Sequence, residues 1–217
     1  MSTLPRHDHL RADAQRNLDL ILAAAAEIFA EQGGEASVAA VAERAGVGTA
    51  TIFRRFPTKD DLLATIIERR FQRLAEDTRR AAAIAEPGEA LRQVMLISIA
   101  SYVEDRLIAE TIGTPLFHRT GLHELWAEVT SYKERALHHA QADGQVRPDV
   151  TLADFSLLLA AIGFVGQRLD TDAPDAWRRC LDIVLDGLRP EVARPLFGAP
   201  VALRHLAALH DSDEAHR

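Results

Sequence analysis

The stretch from Ser37 to Lys59, SVAAVAERAGVGTATIFRRFPTK, constrains the fold of this chain more than any other. Ser37 is a favourable N-cap, because its hydroxyl can accept a hydrogen bond from a backbone N–H in the first turn of a helix. Gly46 can adopt the left-handed conformation that ends that helix. A second short helix follows and stops before Pro57. The stretch therefore predicts two short helices joined by a tight turn.

The charge of this stretch is opposite in sign to that of the whole chain. The chain has a net charge of −7, yet residues 44–59 contain four basic side chains and no acidic one: Arg44, Arg54, Arg55 and Lys59. Small hydroxyl side chains on an exposed turn of helix, flanked by cations, suit the base edges of a DNA major groove with phosphates on either side. The pattern therefore indicates binding to double-stranded DNA.

The segment GVGTATIFRRFPTKDDLL resembles the signature of the TetR family of bacterial transcriptional regulators, and the resemblance extends over about residues 15–70. It implies that Thr49, Ala50 and Thr51 face the bases, where their hydroxyl and methyl groups can contact base edges and thymine methyls. It also implies that Gly48 leaves space for close approach to the DNA backbone.

The resemblance assigns the phosphate contacts to Ser37, Arg55, Lys59 and the helix N-termini. Phe53 stands where the family usually has Tyr, so a phosphate-contacting hydroxyl is missing. Arg55 stands where the family often has His and would supply that contact with a permanent charge. Arg54 would face either phosphate or solvent.

Composition and periodicity predict an all-α protein, since helix formers abound and glycine, proline and aromatic residues are few. We expect a three-helix, helix-turn-helix DNA-binding head followed by a helical C-terminal body for ligand binding and dimerisation. Pro87-Gly88 is expected to break the chain between domains. The expected segments are a flexible arm (1–13), the head (14–60), a linking helix (59–85), the body (61–189) and a tail (190–217).

Within the body, helices are expected at about 89–104, 105–112, 122–142, 151–169 and 173–187. The last two carry more apolar residues than one buried face needs, so they must be covered on two sides. The resemblance implies a four-helix homodimer interface here, and burial within one protomer is the alternative. The predicted interface residues are Leu158, Leu159, Ile162, Gly163, Val165, Gly166, Trp177, Leu181, Val184 and Leu188.

The resemblance further implies a pocket in the body for a small-molecule effector, whose chemistry the sequence leaves open. The candidate lining residues are aromatic, apolar or weakly polar side chains at helical spacing, for which core packing is the alternative. They are Met95, Tyr102, Phe117, His118, Trp126, Phe155 and Phe164.

Metal binding and catalysis are weakly supported. His138 and His139 point about 100° apart on a helix, which is unfavourable for binding one metal ion. His118 and His123 are five residues apart, on either side of a predicted break between helices. Cys180 is expected to be a buried, inert residue of an apolar helix, with redox sensing as the alternative. No glycine-rich phosphate loop, HExxH or GxSxG occurs. We therefore expect no metal, no cofactor and no enzymatic activity.

The sequence predicts a soluble, cytoplasmic protein without a membrane segment. Its single cysteine excludes an internal disulfide. The longest apolar run, 157–166, is about half the ~20 residues that span a bilayer, which indicates a buried helix.

Two functions remain open at this point. The first is a ligand-responsive, sequence-specific transcriptional regulator, in its simplest form a repressor that binds a palindromic operator as a homodimer and is released by a small molecule. The second is a helical small-molecule-binding or scaffolding protein whose head no longer reads DNA, which the replacement of Tyr by Phe53 would favour.

Overall fold

The computed structural model describes residues 6–111, 122–169, 173–192 and 194–200, and these residues are helical without a strand. We number their α-helices in chain order: α1 (Arg6–Gln32), α2 (Val38–Ala45), α3 (Thr49–Arg55), α4 (Lys59–Ala82), α5 (Pro87–Val103), α6 (Arg106–Thr111), α7 (Leu122–Ala142), α8 (Leu152–Leu169) and α9 (Ala176–Gly187). Short 3-10 turns lie at Gly33–Glu35 and Pro190–Val192. The predicted all-α class is confirmed.

The first compact unit, the head, spans Met1–Ile67. Its core comprises apolar side chains from the inner faces of α1 to α4, among them Ile21, Phe29, Val41, Ile52 and Leu62. Phe29 of α1 is fully buried. The head thus extends past the predicted limit at residue 60 and includes the first two turns of α4.

The start of α1 differs from the prediction. The helix begins at Arg6 instead of near residue 14, so most of the predicted flexible arm is helical. The segment after Pro5 contains neither glycine nor a second proline, and proline is favoured at helix starts. Residues 6–13 show no apolar periodicity, which is why an amphipathic criterion placed the helix start too late.

The second compact unit, the body, spans Glu68–Arg217, so the division falls within α4. The predicted break at Pro87-Gly88 lies inside this unit, where Pro87 occupies the first turn of α5. The carboxylate of Glu86 caps that helix by accepting hydrogen bonds from the backbone N–H groups of Gly88 (3.1 Å) and Glu89 (2.5 Å). Proline and glycine therefore mark a helix start here, with α4 ending at Ala82 just before it.

Helix α8 packs inside the body through two glycines. A Cβ atom at Gly163 would lie 3.0 Å from Cβ of Tyr102 on α5. At Gly166 it would lie 2.5 Å from Cγ2 of Val103 and 3.2 Å from Cβ of Trp177 on α9. The predicted role of these glycines in approach of a second protomer is therefore corrected: they allow α5, α8 and α9 of one chain to pack closely.

Among the described residues, one helix, α8, is long and apolar enough to meet a length and composition test for a membrane span. The core helix of a globular protein meets the same criterion. Its packing against α5 and α9 accounts for the apolar side chains on its inner face.

Candidate DNA-binding site

The helix-turn-helix unit is built by the local signals that the sequence carries. Oγ of Ser37 accepts a hydrogen bond from the backbone N–H of Ala40 at 3.1 Å, so the predicted N-cap is confirmed. Gly46 ends α2 with φ of 67°, the left-handed conformation that residues with a side chain rarely adopt. The cap and the glycine together fix where α2 begins and ends, and hence where α3 starts.

Helix α3 is anchored by two buried side chains and presents the rest of its surface to solvent. Ile52 of α3 and Phe56, the C-cap residue that follows the helix, are buried in the head. The exposed or partly exposed side chains are Thr49, Ala50, Thr51, Phe53, Arg54 and Arg55. Phe53 is 46% exposed, an unusual position for a phenyl ring. Every residue predicted on α3 to contact DNA is therefore accessible.

A cleft of about 490 Å³ lies between α3 and α1. Thr51, Arg54 and Arg55 line it from α3, and the α1 side is formed by Gln15, Asn17, Leu18 and Ile21. The two arginines thus lie beside a predicted base-contacting threonine, with polar side chains of α1 opposite. This arrangement can accept an anionic backbone along the edge of α3.

Arg44 does not belong to this cationic surface. Its Nη1 lies 2.8 Å from Oε2 of Glu27, and its Nη2 lies 3.7 Å from Oε2 of Glu31, both on α1. The hydrogen bond to Glu27 and the charge of Glu31 raise the pKa of Arg44 above its usual value. Arg44 therefore connects α2 to α1, and the cations available to DNA on this stretch are Arg54, Arg55 and Lys59.

Lys59 begins α4, whose start is capped reciprocally. The hydroxyl of Thr58 accepts from the backbone N–H of Asp61 at 3.1 Å, and Oδ2 of Asp61 accepts from the backbone N–H of Thr58 at 3.0 Å. Because the Asp61 carboxylate already occupies this helix terminus, a phosphate contact here would depend on the Lys59 ammonium.

The fold and this surface define a class of protein: a helix-turn-helix DNA-binding regulator with a helical body. A family model described as bacterial regulatory proteins of the tetR family matches residues 21–66. A second, for the SbtR-like transcriptional regulator C-terminal domain, matches residues 86–190. The chain is 28% identical over 183 residues to the HTH-type transcriptional regulator UidR of Escherichia coli, covering 79% of this chain and 89% of that protein.

Solved structures agree with these matches. A TetR transcription regulatory protein from Mycobacterium vanbaalenii is 31% identical, with a TM-score of 0.57 over 83% of this chain and 99% of that one. FadR from Bacillus subtilis, solved in complex with stearoyl-CoA, is 18% identical and shares the fold, with a TM-score of 0.60 over 81% of this chain and 100% of that one. The chain belongs to the TetR family of transcriptional regulators, and its head is the family's DNA-binding domain.

The structure divides the predicted pocket residues into several groups. Met95 and Phe155 are fully buried in the main core of the body. Tyr102 packs against Gly163, and burial raises the pKa of its hydroxyl. Phe164 is corrected, since its ring is 56% exposed and stacks under the Arg168 guanidinium at 3.5 Å. Phe117 and His118 lie outside the described residues.

Trp126 of α7 is the pocket candidate with the most distinctive surroundings. Its ring lies edge-on to fully buried Phe71 of α4, with centroids 6.2 Å apart. Nζ of Lys133 lies 5.2 Å from the Trp126 ring centroid. Lys133 is only 7% exposed, and burial lowers its pKa to about 8.

Sequence reasoning missed Lys133, although the sequence contains a signal for it. Lys133 follows Val129 by one helical turn and precedes Leu137 by another, and both of these apolar residues are buried. A charged residue on the apolar stripe of an amphipathic helix is a residue to examine for burial. The predicted pocket residues are instead mostly aromatic, and aromatic side chains pack in most protein cores.

The predicted interface residues are mostly buried within one protomer. Leu159, Ile162, Gly163, Gly166, Trp177, Leu181 and Leu188 are buried, whereas Val165 is exposed and Leu158 and Val184 are partly exposed. The apolar side chains that do reach the surface of α8 and α9 are Phe164, Val165, Leu169 and Ile183, which we call the outer apolar face. The alternative of burial within one chain therefore holds for the seven buried residues of the predicted set.

Cys180 is exposed, which corrects the expectation of a buried thiol. Helix α9 buries Trp177 and Leu181 on one stripe, and Cys180 lies outside it. His123, His138 and His139 lie on the exposed surface of α7. Among the described residues, no group of three potential metal ligands comes together.

Proposed function

We propose that this chain is a homodimeric repressor that binds a palindromic operator and is released from it by a small molecule. The observation that carries the proposal is the exposed surface of α3, where Thr49, Ala50 and Thr51 lie beside Arg54 and Arg55. Ile52 and Phe56 hold the helix from behind, so its outer side chains are presented by a rigid element. In this proposal the threonines and alanine contact bases, while Ser37, Arg55 and Lys59 fix the register through phosphates.

The outer apolar face supports dimerisation. Phe164 and Ile183 are 56% and 60% exposed, which is costly for such large apolar side chains. A second copy of the chain, related by a two-fold axis, would cover both residues and form the four-helix interface of the family. Two heads about 34 Å apart would then read the two halves of a palindrome on one side of the DNA.

The body supports control by an effector. FadR from Bacillus subtilis was solved with stearoyl-CoA, and it shares this fold. In the present body, Arg70 of α4 forms a largely buried ion pair with Asp105, which also caps α6 by accepting from the backbone N–H of Ile108. This pair connects α4, the helix that begins in the head, with α6. An effector that displaces α6 would shift the population toward head spacings that cannot engage both half-sites.

Selection of genomic fragments by the purified protein tests the proposal. We expect recovery of a palindromic site, bound by two protomers, with the protein acting in the cytoplasm where that DNA lies. Thr49→Ala/Thr51→Ala should bind the recovered site more weakly than wild type while keeping its melting temperature, because both side chains face solvent. Uniform binding to all fragments, unchanged by this double substitution, would contradict a sequence-specific operator.

A further inference from the structure

Lys133 is a buried cation without an anionic partner in the described part of the body. The ion pairs of the described residues all involve arginine, and the described contact of the Lys133 ammonium is with the face of Trp126. Residues 112–121, whose placement is not described, contain no acidic residue in the sequence. Arg70 of α4, next to the Phe71 that contacts Trp126, is paired with Asp105.

The surroundings of Lys133 are apolar. Val129, one turn before it, packs with Leu74 and Ala75 of α4 in a small cluster that Ile97 of α5 also contacts. Leu137, one turn after it, belongs to the main core. The ammonium therefore lies on the buried side of α7, against the face of the Trp126 ring.

Such a position is energetically unfavourable for a charge by itself. Removing an ammonium group from water carries a large desolvation penalty, which stacking on an aromatic face offsets only in part. A leucine or methionine would fill the same space without this penalty. Burial lowers the pKa of Lys133 to about 8, so the group is still mostly protonated at neutral pH and available to an anion.

We propose that the effector of this regulator is an organic carboxylate, whose anionic group ion-pairs with Lys133 and whose apolar part lies against Trp126. A single ammonium matches a monoanion, whereas a phosphate dianion would need a second cation to offset its desolvation. The inference rests on the proposed ligand-responsive function and specifies its ligand class. Burial of Lys133 destabilises the folded chain, so packing does not account for a lysine at this position. Binding of a carboxylate would.

The test uses the full-length protein with two pairs of probes: 4-phenylbutyrate with 4-phenylbutyramide, and octanoate with octanamide. Each pair matches shape and differs in charge. Binding is measured by the rise in melting temperature and by calorimetric titration of wild type, Lys133→Met and Arg135→Met. Arg135 is an exposed cation on the same helix, so its variant controls for net charge.

We expect at least one carboxylate to bind wild type at least tenfold more tightly than its amide and to raise its melting temperature. Lys133→Met should lose this preference, whereas Arg135→Met should keep it. The proposal is overturned if the amides bind as tightly as the carboxylates, if neither carboxylate binds, or if Lys133→Met retains the preference.

The same variants separate this inference from the proposed function. Without a probe, Arg135→Met should bind the selected operator with wild-type affinity, because the substitution lies on the exposed surface of the body. If the operator selection fails while carboxylate binding depends on Lys133, the repressor proposal is wrong and the anion site stands. If the operator is bound but no carboxylate preference is found, only the effector class is wrong.

Discussion

Lys133 is the residue at which stability and the proposed ligand recognition oppose each other. Burial lowers its pKa from the ordinary 10.5 to about 8, so between these values the unfolded chain holds a proton that the folded chain has lost. The free energy of unfolding of wild type therefore gains a contribution from Lys133 as the pH rises from about 8 to about 10.5, and the full penalty applies below 8.

Lys133→Met should remove this penalty. At pH 7 we expect the free energy of unfolding to rise by up to about 3 kcal/mol, the value of a shift of this size. Urea unfolding at pH 7 and pH 10 would measure it, and the advantage of the variant should be mostly lost at pH 10. An advantage that is the same at both pH values would show that lost charge burial is not its cause.

Gly48 offers a second test at the residue scale. A Cβ atom at this position meets no protein atom within 4 Å, and φ is −74°, which any residue adopts. Serine is also a favourable residue at a helix N-cap. Gly48→Ser should therefore keep the melting temperature of wild type but bind operator about tenfold more weakly, because its side chain would meet the DNA backbone. Equal affinity in a band-shift titration would exclude close approach at Gly48.

At the scale of helices, the sequence predicted most of the elements but not all of their neighbours. Helix α7 was expected at 122–142 and spans Leu122–Ala142. The prediction succeeded because the amphipathic pattern is strong and glycine-containing segments lie on both sides of it. The helix-turn-helix of the head was also predictable, because Ser37 caps α2 and Gly46 ends it through contacts with nearby backbone groups. The start of α1 at Arg6 was missed, as its polar residues carry no periodic signal.

Contacts between residues far apart in the chain could not be predicted from local sequence patterns. The ion pair of Arg44 with Glu27 joins residues 17 positions apart, and no local pattern distinguishes it from a solvated cation. Apolar excess on α8 predicted two covered sides, but periodicity does not reveal whether a residue is covered by its own chain or by a second one. Leu159 and Val165 were predicted alike, yet only Leu159 is buried in the protomer.

The contact between α8 and its neighbours can be tested at Gly166. A methyl group there would lie 2.5 Å from Cγ2 of Val103, so Gly166→Ala should lower the free energy of unfolding by about 1–3 kcal/mol, as overpacking does. Gly187→Ala is the matched control, because its Cβ meets nothing within 4 Å at the end of α9. Chemical denaturation of both variants should separate them. Equal stability would mean that α8 has room at this contact.

At the scale of the whole molecule, dimerisation depends in our account on the outer apolar face. Ile183 is 60% exposed, and a glutamate there would place a charge in the proposed interface. Ile183→Glu should therefore be monomeric by light scattering at concentrations where wild type is a dimer, and should bind a full operator at least tenfold more weakly. Ile84→Glu, an equally apolar but unrelated exposed position, is the control. If the Ile183 variant stays dimeric, the two-fold axis lies elsewhere.

The dependence of operator affinity on salt concentration tests the central claim most directly, namely that the surface of α3 is held on DNA by phosphate contacts. We would measure it for wild type, Arg55→Ala and the charge-matched body variant Arg135→Ala. Wild type and Arg135→Ala should share a steep slope of log affinity against log salt. Arg55→Ala should bind all sequences more weakly, with a slope shallower by about 1, the value of one lost phosphate contact. A slope for Arg55→Ala equal to that of wild type would contradict the account.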